Sequence, residues 1–150
     1  MRAAYLAPRE IVLVTTRFDG KDNMLPVDWH MPVSYFPKLY CISLESNNYS
    51  ARVIESSKSF CVNFMPAELE EQILQSGRIS GTVTDKFELT GMKKNEAVKI
   101  SAPVLADALG WIECELKETK ITGDHTLYIG SVVYENVNRV KEKLYHITKK

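Results

Sequence analysis

The feature that most constrains the fold of this chain is a series of short, β-branched apolar segments separated by turn residues. Glu10 to Arg17 is rich in Val and Thr and ends at the turn pair Asp19-Gly20. The segment that begins at Ile112 alternates apolar and charged residues, as a half-buried strand does. A hairpin is predicted at Thr122-Gly123-Asp124, between two such segments. The predicted strands are 10–17, 39–44, 59–64, 112–117 and 125–134.

Only two segments have a helical pattern, and both are short. Ser50 to Ser57 follows two possible capping residues, Asn48 and Ser50 itself. Pro66 to Gln75 begins with a proline suited to a first helical turn and continues with glutamates that are favourable there. Because these helices do not alternate with the strands, parallel βαβ winding is disfavoured. The pattern predicts a mainly β protein, an antiparallel barrel with small helices.

The composition favours one globular domain spanning residues 1–150 and excludes several function classes. The chain has 150 residues, of which 45% are hydrophobic, enough to bury a core. It carries 19 basic and 19 acidic residues, so no global field attracts nucleic acid or an anionic membrane. No apolar run approaches bilayer length, and residues 1–6 do not begin a signal peptide. We therefore expect a cytoplasmic protein, and a solvated basic tail at Lys141, Lys143, Lys149 and Lys150.

The cysteines and histidines predict no disulfide and no metal site. Cys41, Cys61 and Cys114 are odd in number and lie among apolar neighbours, which favours buried, reduced thiols. The three histidines show no metal-ligand spacing such as i, i+4. Any electron chemistry is therefore expected to belong to a bound cofactor.

A loop-like stretch carries the residue types of an anion site. Ser76-Gly77-Arg78-Ile79-Ser80-Gly81, followed by Asp85-Lys86-Phe87, combines backbone freedom, hydroxyl groups and positive charge. Glycine lets the main chain approach an anion, and N–H groups beside a cation stabilise negative charge. Ser-Gly pairs are also common in plain surface loops, and that reading stays open from the residues alone.

A second cluster lies between residues 22 and 37. Prolines 26, 32 and 37 remove N–H donors, so this segment is predicted to be a poor central strand. Trp29 is suited to lie against a flat ligand, and backbone N–H groups near Asp28 are suited to donate to a heterocycle. A partly buried core aromatic is the alternative reading of Trp29.

Two further groups lie at element junctions. Ser46-Asn47-Asn48-Tyr49-Ser50 joins a predicted strand to a predicted helix, where free N–H groups suit a phosphate. Helix capping explains the same residues equally well. His125 directly follows a tight turn, which suits either an active-site role or stabilisation of the hairpin.

The order of these clusters resembles one family. The motifs are Ile11 to Arg17, Trp29-His30-Met31-Pro32, Phe60-Cys61-Val62-Asn63, Ser76-Gly77, Ser80-Gly81, Asp85-Lys86-Phe87, Ser101-Ala102-Pro103 and Gly123-Asp124-His125. Their order and spacing over nearly the whole chain resemble the flavin reductase-like, FMN-binding split-barrel family, in particular its flavoredoxin branch.

The resemblance implies a six-stranded antiparallel Greek-key split barrel with short capping helices. It also implies a homodimer with FMN near the interface. The implied cofactor-binding residues fall into three groups: Val27, Asp28, Trp29 and His30 beside the flavin ring; Ser46, Asn48 and Ser50 toward the ribityl chain or phosphate; and Ser76, Arg78, Ser80 and Lys86 at the anionic end or the pyrimidine edge. His125 would stand near the flavin face, where NADH, NADPH or a redox partner protein approaches.

The resemblance therefore predicts an FMN-dependent oxidoreductase. It is either an NAD(P)H:flavin reductase or a flavoredoxin-type electron carrier. The alternative is a non-catalytic flavin- or heme-binding split-barrel module, in which His30 or His125 would be a single heme ligand.

Overall fold

The structure is a computed structural model that describes residues 8–139 and 142–146. The predictions made for residues 1–6 and for Lys141, Lys149 and Lys150 lie outside the described residues. Among the described residues there are eleven strands and three α-helices. The strands are β1 Arg9–Glu10, β2 Val12–Phe18, β3 Lys21–Val27, β4 His30–Ser34, β5 Leu39–Glu45, β6 Ser59–Phe64, β7 Lys94–Glu96, β8 Pro103–Leu105, β9 Gly110–Thr122, β10 His125–Val137 and β11 Tyr145–His146. The helices are α1 Tyr49–Ser57, α2 Glu70–Ser76 and α3 Lys86–Thr90, with a 3-10 turn at Ala67–Leu69.

Seven strands form one antiparallel sheet in the order β3-β2-β6-β9-β10-β5-β4. Its two edge strands, β3 and β4, are joined in sequence by Asp28 and Trp29 alone. A link this short spans at most about 11 Å, so the two edges of the sheet must approach each other. The sheet is therefore curled into a barrel. The predicted fold class, a mainly β antiparallel barrel with few helices, is confirmed.

The segment from Lys21 to Ser34 adds two strands to the five that the sequence pattern predicts, so the sheet has seven strands where the resemblance implies six. Pro26 lies in β3 and Pro32 lies in β4, and both strands are edges of the sheet. An edge strand can carry a residue that lacks an N–H donor, whereas a central strand cannot do so without losing a ladder bond. The proline-containing segment thus contributes one strand to each edge.

The two faces of β2 show how the core is divided. Val12 and Val14 face the barrel interior and are fully buried with Phe60. Leu13, between them, belongs to a second buried cluster that includes Ile73 of α2. This alternation follows from the two-residue period of a strand. Helices α2 and α3 therefore cover the outer face of β2 and β3, whereas the interior is filled by the strands together with Ala51 and Ile54 of α1.

One glycine is required by the barrel interior. A Cβ atom on Gly130 of β10 would lie 2.5 Å from the Cβ of Cys114 and 2.9 Å from Cζ of Phe60. The ring of Phe60 thus occupies the space that a side chain at position 130 would need. Close packing of this kind leaves no room for relaxation.

The helix predictions hold with small changes. Helix α1 begins after Asn48, whose side chain accepts a hydrogen bond from the backbone N–H of Ser50 at 2.8 Å. The second predicted helix opens as the 3-10 turn and continues as α2 to Ser76. Helix α3 was not predicted, because a five-residue element carries too little periodicity to be recognised.

The three cysteines are buried and free, as predicted. Burial raises the pKa of the Cys41 thiol and raises that of Cys114 to about 12. Within residues 8–139 and 142–146, no group of histidine, cysteine and acidic side chains is arranged to hold a metal ion. In the same residues, no helix is long and apolar enough to cross a bilayer.

Candidate functional site

The first group of site residues surrounds β3 near the start of α1, and we call it the helix cluster: Asn23, Asn48, Ser50, Gly81 and Lys86. Ser50 is buried, and its Oγ accepts a hydrogen bond of 2.9 Å from Nδ2 of Asn23 on β3. The other polar atom of Asn23, Oδ1, is also buried and has no hydrogen-bond partner among the described residues. The N-terminus of α1 is therefore tied to β3 through an amide that keeps one unused acceptor.

Gly81 brings the loop after α2 against the same amide. A Cβ atom at position 81 would overlap Oδ1 of Asn23, which no side chain permits. The loop backbone can therefore approach β3 only because residue 81 is glycine. No cofactor-binding role was predicted for Asn23 itself, although it lies in the 22–37 cluster, because its bond to Ser50 depends on the packing of α1 on β3.

Lys86 is the buried cation of the helix cluster. Its side chain is only 3% exposed, and Nζ donates to the backbone carbonyl of Met24 at 2.9 Å. Burial lowers the pKa of Lys86 to about 8, because the charged form is poorly solvated there. No carboxylate pairs with Lys86 among the described residues. Within the described part of the chain, the site thus contains a positive charge without a counter-charge.

The second group, which we call the mouth cluster, consists of Trp29, Ser46, Asp124, His125 and Thr126. The rings of Trp29 and His125 stack with centroids 4.6 Å apart and planes inclined by 28°. Nδ1 of His125 lies 2.6 Å from a carboxylate oxygen of Asp124, which orients the imidazole. Trp29 is 38% exposed, so the stacked pair is in part accessible to solvent.

Strand register brings Ser46 to the mouth cluster. Strands β5 and β10 pair so that Glu45 lies opposite His125. The backbone N–H of Ser46 donates to the carbonyl of Asp124 at 3.0 Å, and its Oγ lies 2.9 Å from Oγ1 of Thr126. Because Ser46, Asn48 and Ser50 follow one another along the chain, the mouth cluster and the helix cluster are contiguous.

The side chains of His30 and Val27 are engaged in contacts within the protein. Both ring nitrogens of His30 are engaged: Nδ1 lies 2.7 Å from the hydroxyl of Tyr40, and Nε2 lies 2.8 Å from the carbonyl of Glu10. Val27 is buried in the barrel core. Asp28, half-buried, lies between these two residues in the link that joins the sheet edges.

The predicted anion loop does not act as one unit. Ser76 is buried at the end of α2, and its hydroxyl donates to the carbonyl of Ile73 at 2.6 Å. Arg78 is exposed, and no side-chain partner lies within the described part of the chain. Ser80 is also exposed and bonds locally to Thr82. Of the four residues predicted there, Lys86 is the one that joins the helix cluster.

Three solved structures share this fold. An FMN-binding protein from Thermus thermophilus superposes with a TM-score of 0.84 at 23% identity over 91% of this chain and 75% of that chain. An NADH:FAD oxidoreductase from Streptomyces globisporus, SgcE6, superposes with 0.85 at 20% identity over 94% and 82%. A flavoredoxin of Desulfovibrio vulgaris superposes with 0.82 at 24% identity over 92% and 75%. At these identities the likeness establishes the split-barrel fold.

Sequence comparison establishes the family. The chain is 28% identical to a flavin reductase from Pseudomonas putida over 114 residues, which cover 76% of this chain and 64% of that protein. The family model described as the flavin reductase like domain matches residues 4–150. With its barrel and its two contiguous clusters, the chain belongs to the flavin reductase-like family, whose members of the same fold include flavoredoxins.

Proposed function

We propose that this protein is an FMN-binding oxidoreductase, either an NAD(P)H:flavin reductase or a flavoredoxin-type electron carrier. The observation that carries the proposal is the contiguity of the two clusters. A stacked, partly exposed aromatic pair adjoins a segment with helix N-terminal donors. The buried ammonium of Lys86, which has no carboxylate partner among the described residues, bonds to Met24 beside Asn23. A ligand with a flat heterocycle at one end and a phosphate at the other matches this order of groups.

The anionic end is assigned to the helix cluster. Lys86 has no carboxylate partner among the described residues, and a phosphate would supply the counter-charge that burial demands. The N-terminus of α1, capped by Asn48, favours negative charge nearby. The unused Oδ1 of Asn23 would accept a hydrogen bond from a ribityl hydroxyl or a ring N–H. The residues present therefore fit FMN.

The ring end is assigned to the mouth cluster and to the link from Val27 to His30. In this family a bound flavin supplies the capacity to take up a hydride and to release electrons singly. The chain would bind and orient the ring through backbone N–H groups of the link. Trp29 and His125 would exclude water from one side of the ring. Asp124 would keep the imidazole of His125 in a fixed orientation, beside the place where a nicotinamide or a redox partner approaches.

Absorbance spectroscopy tests the proposal directly. Flavin-free protein titrated with FMN should show a saturable shift of the flavin bands, and FAD in a parallel titration should bind more weakly. Protein that neither carries flavin absorbance nor changes the FMN spectrum would overturn the proposal. Anaerobic addition of NADH or NADPH then separates the two forms of it. Bleaching of the flavin band during turnover identifies a reductase, and an unchanged band identifies a carrier reduced by another protein.

A homodimer is part of the proposal, and the exposed side of β4 supports it. Met31 is 58% exposed on this edge strand, and Tyr35 and Phe36, directly after it, are 85% and 96% exposed. An exposed, apolar sheet edge is a favourable surface for association. Light scattering on the flavin-loaded protein should give twice the chain mass. Replacing Phe36 by Glu should shift that mass toward the monomer.

The heme-binding alternative gains no support from the histidines. His30 would have to give up its bond to Tyr40 or to the Glu10 carbonyl before it could bind iron. His125 is stacked on Trp29 and bonded to Asp124. A Soret band in protein reconstituted with hemin, lost on substitution of either histidine, would revive that alternative.

A further inference from the structure

A second polar site lies outside both clusters, on the outer face of the barrel where β6 begins. We call it the Ser59 groove. Its volume is about 400 Å³, within the range of small-molecule sites. Its polar lining consists of Ser57, Lys58, Ser59, Lys99, Ser101 and Glu115. The groove starts at the C-terminal end of α1, about 13 Å along the helix from the helix cluster. It is therefore separate from the proposed flavin site.

The buried hydroxyl of Ser59 is the observation that suggests a ligand. Ser59 is only 6% exposed, and its buried Oγ has no hydrogen-bond partner among the described residues. The register of β6 and β9 places Ser59 opposite Glu115, so both side chains project from the same outer face. A buried hydroxyl without a protein partner is costly unless water or a ligand satisfies it. The groove is the place from which such a partner would come.

The backbone around the groove is fixed in advance. The buried carboxylate of Glu113 accepts hydrogen bonds from the backbone N–H groups of Val98 at 3.0 Å and Lys99 at 2.6 Å. A third bond comes from the Nε1 of Trp111 at 2.8 Å. On the other wall, the carbonyl of Lys58 accepts from the N–H of Leu116 at 2.8 Å. The two lysines therefore extend from anchored backbone, which reduces the entropy lost on binding.

The charges of the groove favour an anion. Lys58 and Lys99 form no ion pair within the described residues, whereas Glu115 contributes one opposing charge. The hydroxyl of Ser57 is used in a bond to the carbonyl of Ser59 at 3.2 Å, which leaves Ser59 and Ser101 as hydroxyl donors. We propose that the Ser59 groove binds a phosphate group, either as inorganic phosphate or as a phosphate monoester. Two ammonium groups and two hydroxyls would hold its oxygens.

The proposal is tested by amide NMR titration of the protein with inorganic phosphate at constant ionic strength. Resonances of residues 57–59 and 99–101 should shift and saturate. The double variant Lys58→Ala/Lys99→Ala should weaken binding about tenfold or more, and Ser59→Ala should weaken it several-fold. Glu115→Gln should strengthen binding, since it removes the opposing charge. Lys120→Ala, an exposed lysine farther along β9, is the matched control and should leave affinity unchanged.

A second titration with glycerol 3-phosphate identifies the source of the phosphate. Tighter saturation than with inorganic phosphate identifies a monoester, and the reverse identifies the free ion. Absence of saturation with both probes overturns the proposal. Equal weakening by Lys120→Ala overturns it too, because binding would then follow net charge alone. FMN affinity measured on the Lys58→Ala/Lys99→Ala protein should be unchanged. A parallel loss would place the groove within the flavin site and remove it as a second site.

Discussion

The mouth cluster and the 76–86 segment flank the proposed flavin site and are built in different ways. In the mouth cluster, strand pairing places Ser46 beside Thr126, and the curl of the sheet brings Trp29 onto His125. In the 76–86 segment, polar side chains have different surroundings. Ser76 is buried, Arg78 is exposed to solvent, and Ser80 bonds to its neighbour Thr82. Polar residues on paired strands thus converge because the ladder fixes them, whereas polar residues in a loop converge only where packing requires it.

The largest expected effect concerns Lys86, the residue of the 76–86 segment that packing brings to the helix cluster. The pKa of Lys86 is lowered from 10.5 to about 8 by burial, so the folded state binds this proton less tightly than the unfolded state. The cost of the buried ammonium is present in full below pH 8. It disappears as pH rises toward 10.5, so the contribution of Lys86 to stability rises over that window, by about 3 kcal/mol at most.

Lys86→Met isolates this contribution. Urea unfolding of flavin-free protein, wild type and variant, should show the wild type gaining on the variant between pH 8 and pH 10. Raised thiol pKa values, such as that of Cys114, act in the opposite direction but are common to both proteins and cancel in the difference. A difference that stays constant across this range would show that Lys86 is solvated, and the contrast between the two flanks would lose its main support.

The same variant should weaken FMN binding by about 1.5–3 kcal/mol, the scale of a hydrogen bond to a charged group. The reason is that Lys86 would lose its role as counter-charge to the phosphate while the rest of the site stays in place. Fluorescence quenching of FMN at pH 7 measures the affinity. Riboflavin, which lacks the phosphate, is the control ligand and should bind both proteins alike. An equal loss for riboflavin would assign Lys86 to the ring instead of the phosphate.

Gly81→Ala tests how the loop reaches the helix cluster, with an expected cost in stability of about 1–3 kcal/mol. A methyl group there would overlap Oδ1 of Asn23, so either the loop or the amide must move. Movement of the amide would break its bond to Ser50. The midpoint temperature of thermal unfolding and the affinity for FMN should both fall. Gly20→Ala is a useful comparison, since a Cβ there meets nothing within 4 Å and only its φ of +73° opposes the change. Retained FMN affinity in Gly81→Ala would separate the loop from the site.

The sequence pattern was sufficient for the barrel, and Trp29, Ser46 and His125 of the mouth cluster were among the residues that it singled out. Strand period and the Gly123 turn act over a few residues and were predicted correctly, and Asn48 is the cap out of the two candidates that the sequence offered. The contact between Trp29 and His125 could not be predicted, because it depends on how far the sheet curls. The burial of Lys86 was missed for a related reason: α3 is too short to be recognised, and its packing on β3 is a tertiary effect. Ser76 and Ser80 both precede a glycine in the sequence, but Ser76 is buried at the end of α2 and Ser80 is exposed beyond it.

His125→Ala tests the mouth cluster. We expect a loss of stability of about 0.5–1.5 kcal/mol, which is the usual contribution of an aromatic pair beyond the area that it buries. Removal of the imidazole also exposes one face of Trp29 to water, so its fluorescence should shift to the red. His125→Phe should restore the stability, since it keeps a stacked ring, but not the bond to Asp124. An emission spectrum identical in all three proteins would mean that the pair does not stack in solution.

Arg78→Ala should have the smallest effect, a loss of FMN affinity of no more than about 1 kcal/mol. Its guanidinium is exposed and makes no hydrogen bond or ion pair within the described residues, so any bond to the phosphate would be screened by water and would cost side-chain entropy. Affinity measured at low and at high salt should converge for wild type and variant, because an exposed charge acts over a distance that salt shortens. A loss as large as that of Lys86→Met, unchanged by salt, would show that the loop closes over the flavin and buries Arg78. The 76–86 segment would then surround the ligand as closely as the mouth cluster does. Its side chains would be brought together by ligand binding, whereas those of the mouth cluster are brought together by strand register.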